Sequence, residues 1–439
     1  MREQIIAALD IGSSKICCFI AKVGENPAAF GNDPAVLGYD EGEAQHRPRV
    51  IGIGHQISKG LKAGTVIDME ETETSIRAAV DAAERMAGGS PIHDVYVNVS
   101  AGQPKSSFFS VEVDVAGHEI SQLDIDHVLS AGQKNLKNED RFILHSRPIS
   151  FSIDGVAGAK KPLGMFGEIL GVKIHTSSVA LSPLKNIQTC LNRCHLNLKG
   201  AVLTPYASAL AVLVPDERKI GAICVDMGGG LTSISAFRDN AFIFGDIIQV
   251  GGHHVTRDIA QGLSVSEDRA ERLKILYGSC LTDRVPVRDQ IDIVQTGESA
   301  QAQTITIPRS MLTAIVSPRV EEILELVRDR IIETGLADLA GRRIIFTGGA
   351  SQISGLEELA REIFSVDCSP ELRGDFHVRL GRPINVDDLA DATAGPMFAT
   401  CAGLLNYGMS SPDDVHSITV DKTHIGVFSH FRAWMKKNF

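Results

Sequence analysis

Two short segments carry the residue types that could hold a phosphorylated ligand. Asp10-Ile11-Gly12-Ser13-Ser14-Lys15 follows the apolar run IIAAL and precedes ICCFIA, while Asp226-Met227-Gly228-Gly229-Gly230 lies between AICV and the alternating LTSISAF. A strand that ends in Asp and turns through small residues exposes backbone N–H groups to an anion, because no bulky Cβ stands in the way. The Asp needs its own explanation. Beside a phosphate, a bare carboxylate is repelled by about 4 kcal/mol per unit charge at 4 Å and an effective dielectric near 20, so it belongs there only with a cation between. Hard oxygen chemistry favours Mg²⁺, which takes few carboxylates and completes its shell with water and phosphate oxygens. Asp10 and Asp226 are therefore the metal-site candidates. Gly12, Ser13, Ser14, Lys15, Gly228, Gly229 and Gly230 form the phosphate cradle.

A plain hairpin turn would explain either copy alone, since Asp-x-Gly is common between strands. Two copies are an internal duplication, and two more glycine turns sit at strand ends, where α/β folds bind ligands. Gly348-Gly349-Ala350 closes the run IIFT and leads past Ile353 and Gly355 into a helix bearing Leu356, Leu359, Ile363 and Phe364. Gly251-Gly252 precedes the helical HVTRDIAQGL.

The elements that must position these turns are legible in outline. Apolar runs bounded by Gly or Asp alternate with stretches of helical period, which gives an α/β layered fold rather than a bundle or a sandwich. One helix is expected over 72 to 87, with Ile76, Ala79, Val80, Ala83 and Met86 on one face, and another over 318 to 334, opening at Pro318 and stopping near Gly335. Residues 91 to 177 read as two strands, a helix from Ser121 and two further strands, an α+β insert. Residues 24 to 49, rich in Gly, Pro and charge, read as a surface insertion.

Length and composition bound the class. The chain has 439 residues, enough for about three compact units, with 44% hydrophobic and 22% charged residues, as expected of a globular protein. Its net charge of −11, from 54 acidic against 43 basic side chains, disfavours nucleic acid as a partner and confines any anionic partner to a local basic patch. The eight cysteines show no paired C-x-x-C spacing and read as reduced thiols. No apolar window is long enough to span a membrane. Cys190, Cys194 and His195 have metal-like spacing on one helix but lack a fourth ligand, and His253-His254 with Asp258 is similarly thin, so core packing and a glycine turn are the expectations there.

The end of the chain is different in kind. After about residue 405 it turns polar, then Phe428, Phe431, Trp434, Met435 and Phe439 recur at intervals of three or four, flanked by Arg432, Lys436 and Lys437. A helix there would lie flat at a lipid headgroup boundary, being too short to cross. Partial burial of five large side chains is worth roughly 5–8 kcal/mol, and each basic residue adds about 1 near anionic lipid. Ordering costs of order 1 kcal/mol per residue leave a single tail reversible. Several such tails presented together would be held by avidity.

With these residues in view, the sequence resembles the actin-like ATPase superfamily, and more narrowly the FtsA family of bacterial cell-division proteins. The segments ALDIGSSKI, IGIGHQISKGLKAGTVIDME, VYVNVSAGQ, CVDMGGGLTSIS, SPRVEEILELVRD and FTGGASQISGLEELA fit that family's pattern from residue 5 to about 408. The resemblance implies actin-like, ribonuclease H-like duplicated domains closing around a nucleotide cleft, with ATP and Mg²⁺ as ligands. It implies a first domain from 1–90, 178–213 and about 356–408, an inserted subdomain over 91–177 with a role in filament contacts, and a second domain from 214–248 and 311–355. Residues 249–310 would be the adenosine-side subdomain, with Glu271 and Lys274 as nucleoside contacts, unless that pair is only a solvated i, i+3 helix face. A linker over 409–424 and a membrane-targeting helix over 425–439 complete the scheme.

The same resemblance implies polymerisation, anchoring of the tubulin-like FtsZ to the cytoplasmic face of the inner membrane at the division septum, and recruitment of later division proteins. Arg309 matches a position linked in the family to the acidic FtsZ tail. One departure bears on chemistry. Where efficient relatives carry a Glu or Gln, the equivalent stretch here reads Val202-Leu203-Thr204-Pro205-Tyr206-Ala207, and Thr204 cannot serve as a base near neutral pH. At most weak ATPase activity is therefore expected. The alternatives on the same fold are a sugar kinase or exopolyphosphatase, which Thr204 disfavours, and a pilus-assembly scaffold, whose relatives lack the amphipathic tail.

Overall fold

The computed structural model describes residues 4–23, 47–134, 141–159, 161–282, 286, 288–295, 304–365, 370–372 and 374–410. In chain order its first part comprises β1 (Gln4–Ile11), β2 (Lys15–Val23), β3 (Arg49–Ile57), the two-residue strands β4 (Leu61–Lys62) and β5 (Thr65–Val66), α1 (Met69–Met86) and β6 (Asp94–Val99). The insert follows with β7 (Lys105–Asp114), α2 (Gln122–Lys134), β8 (Arg141–Ile153), β9 (Val156–Ala159) and β10 (Ile169–Ala180), and the chain returns through α3 (Leu181–Arg193), β11 (Asn197–Leu203), α4 (Thr204–Val212) and α5 (Pro215–Ile220). Next come β12 (Ala222–Met227), β13 (Thr232–Arg238), β14 (Ala241–Ile248), α6 (Gly252–Leu263), α7 (Glu267–Tyr277), β15 (Gln290–Val294) and β16 (Thr304–Pro308). The last described elements are α8 (Arg309–Glu333), α9 (Leu336–Ala340), β17 (Arg343–Thr347), α10 (Leu356–Ile363), β18 (His377–Leu380) and α11 (Ala399–Ser410).

The duplication expected from two Asp-Gly turns extends to whole sheets. The first has the order β11-β6-β1-β2-β3 and the second β18-β17-β12-β13-β14. In each, the strand ending in the key Asp is antiparallel to its hairpin partner and parallel to the strand on its other side. Asp10 lies opposite Cys17 and Asp226 opposite Ser233. Both central strands are buried along their length after their first residues, as strands covered on two faces must be.

Sheet membership moves several expected boundaries. Strand β6 pairs with β1 and β11, so residues 94–99 belong to the first sheet and not to the insert, because their apolar side chains complete that sheet's core. Helix α10 and strand β18 pack on the second sheet through Leu356, Leu359, Ile363 and Val378, so the stretch from 356 to 380 leaves the first domain where the sequence placed it. The chain returns there from Ile384, whose N–H donates to the Ala211 carbonyl, and continues through Phe398 into α11. Helix α8 starts at Arg309 rather than Pro318, and Pro318 sits inside it. The proline removes one backbone donor, but Leu312, Thr313 and Val316 before it are buried on the same face as Val320 and Ile323 after it, and that shared burial holds the helix through. Helix α1 starts at Met69, earlier than its apolar stripe shows, because the Asp68 carboxylate accepts the Glu71 N–H at 3.0 Å. Residues 405–410 are helical, the C-terminal half of α11. The proposed insertion lies outside the described residues from 24 to 46, as does the amphipathic stretch, including Phe428, Phe431, Arg432, Trp434, Met435, Lys436, Lys437 and Phe439.

The insert is a four-stranded sheet, β7-β10-β8-β9, with α2 on one face. It touches both halves of the molecule. Ser106 Oγ on β7 is 3.1 Å from the Gly245 carbonyl and accepts the Gly245 N–H at 2.9 Å, tying it to the second sheet's edge strand β14. His145 Nε2 on β8 accepts the Leu203 N–H at 3.0 Å, at the start of α4. Between these ties lies an aromatic box in which Tyr206 stacks on Phe242 at 4.6 Å and His145 meets Tyr206 edge-on at 5.0 Å. His175 is buried beside Phe242 and Phe108, and its Nε2 has no hydrogen-bond partner.

Burial, followed by the nearby Arg147 charge, outweighs a backbone hydrogen bond with Phe242 and lowers the His175 pKa from 6.5 to about 4. A histidine depressed in the folded state contributes stability that is whole above 6.5 and is lost as pH falls toward 4, at most about 3 kcal/mol at about 1.4 kcal/mol per unit. His175→Phe should therefore remove this loss, so that the urea midpoint between pH 6.5 and 4 shifts upward relative to the wild type, most at the acid end. An unchanged profile would assign the acid sensitivity elsewhere.

Candidate functional site

The two turns face each other across the gap between the sheets. In the first, the Gly12 N–H donates to the Lys15 carbonyl at 3.0 Å; in the second, the Gly228 N–H donates to the Leu231 carbonyl at 2.9 Å. The same local bond thus closes both hairpins. Their tips are in contact: a Cβ built on Gly229 would overlap Ser14 Oγ, and one on Gly230 would come within 2.9 Å of Ser13 Oγ. A side chain at either position would have to push the facing serine aside.

The other glycine turns join the same place. The Gly252 and His253 N–H groups, opening α6, donate to the Gly228 and Gly229 carbonyls at 2.9 and 2.7 Å, and a Cβ on Gly251 would strike those carbonyls. Gly348 has a φ of +89°, and a Cβ there would overlap Asp226 Oδ1, so only glycine lets the third turn lie on that carboxylate. Ala350 packs against Gly252, and Gly349 has only Met397 nearby. All the turns singled out in the sequence therefore converge on one cleft.

Asp10 and Asp226 are both buried at its floor. Lys15 Nζ lies 3.4 Å from Asp10 Oδ2 and 4.5 Å above the Phe398 ring. Burial raises the Asp10 pKa despite Lys15. Burial and then the Asp10 charge raise that of Asp226 to about 6, against hydrogen bonds from Thr400 and Ser208. Two buried carboxylates with one ammonium between them are short of positive charge. The donor set is all oxygen, which fits Mg²⁺. Among the described residues no group of three or more His, Cys, Asp or Glu side chains could hold a metal by itself, so a cation here would need further ligands from water or a bound anion.

Glu271 and Lys274 sit beside the opening turn of α6. Lys274 is buried, and its Nζ donates to the Gly252 carbonyl at 3.1 Å, Thr256 Oγ1 at 2.9 Å and Glu271 Oε2 at 2.7 Å. A solvated helix face does not describe it. Burial alone would raise the Glu271 pKa, but Lys274 and Thr256 together hold it below the ordinary value. Arg309, by contrast, lies at the start of α8, where it donates to the Tyr277 carbonyl at 2.9 Å and to Asp289 at 3.1 Å. Cys190 packs on Met69 and Cys194 on the Glu73 carbonyl.

Several participants carried no signal in the sequence. Thr400 Oγ1, in the first turn of α11, donates to Asp226 Oδ2 at 3.1 Å. Asn98, at the end of β6, accepts the Ile11 N–H at 2.7 Å and donates to Thr204 Oγ1 at 3.2 Å, while Ser100 meets Thr204 at 2.6 Å. His253 Nε2 contacts Ser14 Oγ at 2.9 Å, so that histidine does more than follow a glycine turn. The β4–β5 hairpin covers one side, with the Gly64 N–H donating to Ser13 Oγ at 3.2 Å. Beside it the Ser58 hydroxyl is buried without a partner, while its N–H donates to the Ser14 carbonyl.

Paired sheets of identical order, each presenting an Asp-Gly hairpin to a common cleft, define an actin-like ATPase fold with an inserted α+β subdomain. The solved PilM-PilN type IV pilus biogenesis complex has a chain of this fold, matching at a TM-score of 0.59 and 15% identity over 92% of this chain and 98% of that one. Within that class the sequence is more specific. The pattern of the family described as Cell division protein FtsA matches residues 223–403, and that of the SHS2 domain inserted in FtsA matches 101–178. The cell division protein FtsA of Agrobacterium fabrum is 41% identical over 100% of this chain and 96% of its own length, and that of Pseudomonas aeruginosa is 33% identical over 99% and 98%. This chain belongs to the FtsA family of cell-division proteins.

Proposed function

We propose that the chain binds ATP with Mg²⁺ in the cleft, assembles into filaments in that state, and anchors FtsZ to the cytoplasmic face of the membrane at the division septum, where later division proteins join. The observation that carries this reading is the mirrored pair of hairpins with two charge-deficient buried carboxylates. Asp10 and Asp226 would hold the cation. Gly12, Ser13, Ser14, Lys15 and Gly228 to Gly230 would receive the phosphates, and Gly251, Gly252, Glu271, Lys274 and Gly348 to Ala350 would line the nucleoside side. When bound, Mg²⁺ would neutralise the charge that the two carboxylates and the phosphates place together.

Hydrolysis should be slow. The hydroxyl of Thr204 is already engaged by Asn98 and Ser100, and a neutral alcohol is a poor base near neutral pH. That feature favours a scaffold over a kinase of the same fold.

For FtsZ, Arg309 offers a guanidinium held by the Tyr277 carbonyl and Asp289, and Ile275, Leu276 and Met311, within two residues of Tyr277 or Arg309 along the chain, are exposed. An acidic peptide with apolar side chains would compete with Asp289 for the charge and cover the patch. No helix of the described residues is long and apolar enough to cross a membrane, so attachment is assigned to the tail. Co-sedimentation with anionic vesicles tests the whole scheme. The full chain with ATP should carry FtsZ down with the vesicles, while a chain ending at residue 420 should still bind FtsZ and leave it in the supernatant. Equal sedimentation of the two would remove the tail from the reading.

A further inference from the structure

The cleft has a third wall that belongs to neither hairpin. The turn Pro396–Phe398 and the first residues of α11 touch both halves of the site. The Pro396 carbonyl accepts the Gly348 N–H at 3.2 Å, the Phe398 ring lies under Lys15 Nζ and against Phe19, and the Thr400 hydroxyl donates to Asp226. Asp226 and Thr400 are both buried, so water does not compete for this bond and its geometry is set by the protein.

What these contacts connect is helix α11. It crosses α4 so closely that a Cβ on Gly403 would overlap the Ala207 carbonyl, and at its far end Gly408 lies against Tyr96 and Ile6 of the first sheet. Helix α4 in turn carries Thr204 and Ser208, the latter near enough to Asp226 to bear on its pKa. Helix α11 is also the last described element before the chain continues past residue 410 toward its amphipathic end.

We propose that Thr400 is a positioning residue for Asp226, and that the turn from Pro396 to Thr400 transmits what occupies the cleft to α11 and so to the chain that follows it. The inference rests on the nucleotide reading above. A cation drawing on Asp226 and a phosphate drawing on Lys15 would pull on Thr400 and Phe398 together. Phe398 directly precedes α11 and Thr400 lies in its first turn, so together they load that helix at its N-terminal end. Valine in place of Thr400 would keep the volume and remove the donor.

Hydrogen–deuterium exchange on the full chain, with and without ADP and Mg²⁺, tests this. In the wild type, nucleotide should slow exchange in 10–15, in 348–350 and, by about tenfold, in 399–410. With ADP and Mg²⁺ raised until the variant is saturated, Thr400→Val should keep the first two responses and lose the third, and Thr400→Ser should restore it. Phe398→Leu, which leaves the hydroxyl in place but weakens the contact with Lys15, should reduce the third response without abolishing it. A purely structural role would speed exchange equally in both states and leave the nucleotide-dependent difference intact. An unresponsive α11 in the wild type, or a wild-type response in Thr400→Val, overturns the proposal while leaving nucleotide binding standing. Absence of any response at 10–15 removes the nucleotide reading and this inference with it.

Discussion

Asp226→Asn should raise the urea midpoint of the nucleotide-free chain in EDTA at neutral pH, and abolish the further rise that ATP and Mg²⁺ produce in the wild type. The two effects have opposite signs because one carboxylate is a burden when the cleft is empty and, on the proposed reading, a ligand when it is filled. Its pKa is raised from 3.8 to about 6 by burial and then by Asp10. An acid raised in the folded state makes the native form bind protons more tightly than the unfolded chain. Stability therefore falls as pH climbs from 3.8 to about 6, and the whole penalty is present above that. At about 1.4 kcal/mol per unit it reaches about 3 kcal/mol. An amide of the same shape escapes it and can still accept from Thr400.

His175 works in the same window with the other sign, gaining stability as pH rises from about 4 to 6.5. In the wild type the two slopes offset each other, and each substitution uncovers its rival. Asp226→Asn should make the nucleotide-free protein acid-sensitive, with a midpoint that falls as the medium is acidified. His175→Phe should leave one whose midpoint rises over the same range. A fall in the midpoint of Asp226→Asn in EDTA at neutral pH would show that the carboxylate is stabilised by partners other than a cation.

The residues of the cleft were legible because their chemistry is local. Asp-x-Gly between apolar runs announces a tight turn with a carboxylate beside exposed amides, and four such glycine turns on strand ends had few other uses. What the sequence concealed is whatever depends on contacts distant along the chain. Thr400 lies far from Asp226, and nothing in ATCAGLLNYG marks its hydroxyl as facing a carboxylate. Asn98 sits in a strand that stood out only for its family pattern, yet it links the first hairpin to Thr204. The misplaced boundaries have a similar origin. VYVNV has no local feature that assigns it to one sheet rather than another, and pairing with β1 decides the matter. Pro318 reads as a helix start because proline fits there best, but tertiary burial on both sides of it outweighed that preference.

Gly403→Ala should be among the most damaging single substitutions in the chain, although it adds one methyl group. The added carbon would overlap the carbonyl oxygen of Ala207 in α4, with that residue's carbonyl carbon close behind. No side-chain rotamer can relieve a clash with backbone, so one of two buried helices must shift. Helix α11 packs on α4 and on β1 and β6, with Cys401, Ala402, Leu404 and Leu405 fully buried. A shift there loosens the core of the first domain, and a cost of about 4 kcal/mol is expected, a large share of the 5–15 typical of a domain. Gly88→Ala separates crowding from backbone strain, since Gly88 has a φ of +102° but nothing within 4 Å of a built Cβ. Its cost should be only about 1–2 kcal/mol, that of the left-handed conformation alone. Urea denaturation of the two variants measures the difference. Comparable midpoints would mean that α11 can slide on α4, and a helix free to slide there could not carry a signal from Asp226.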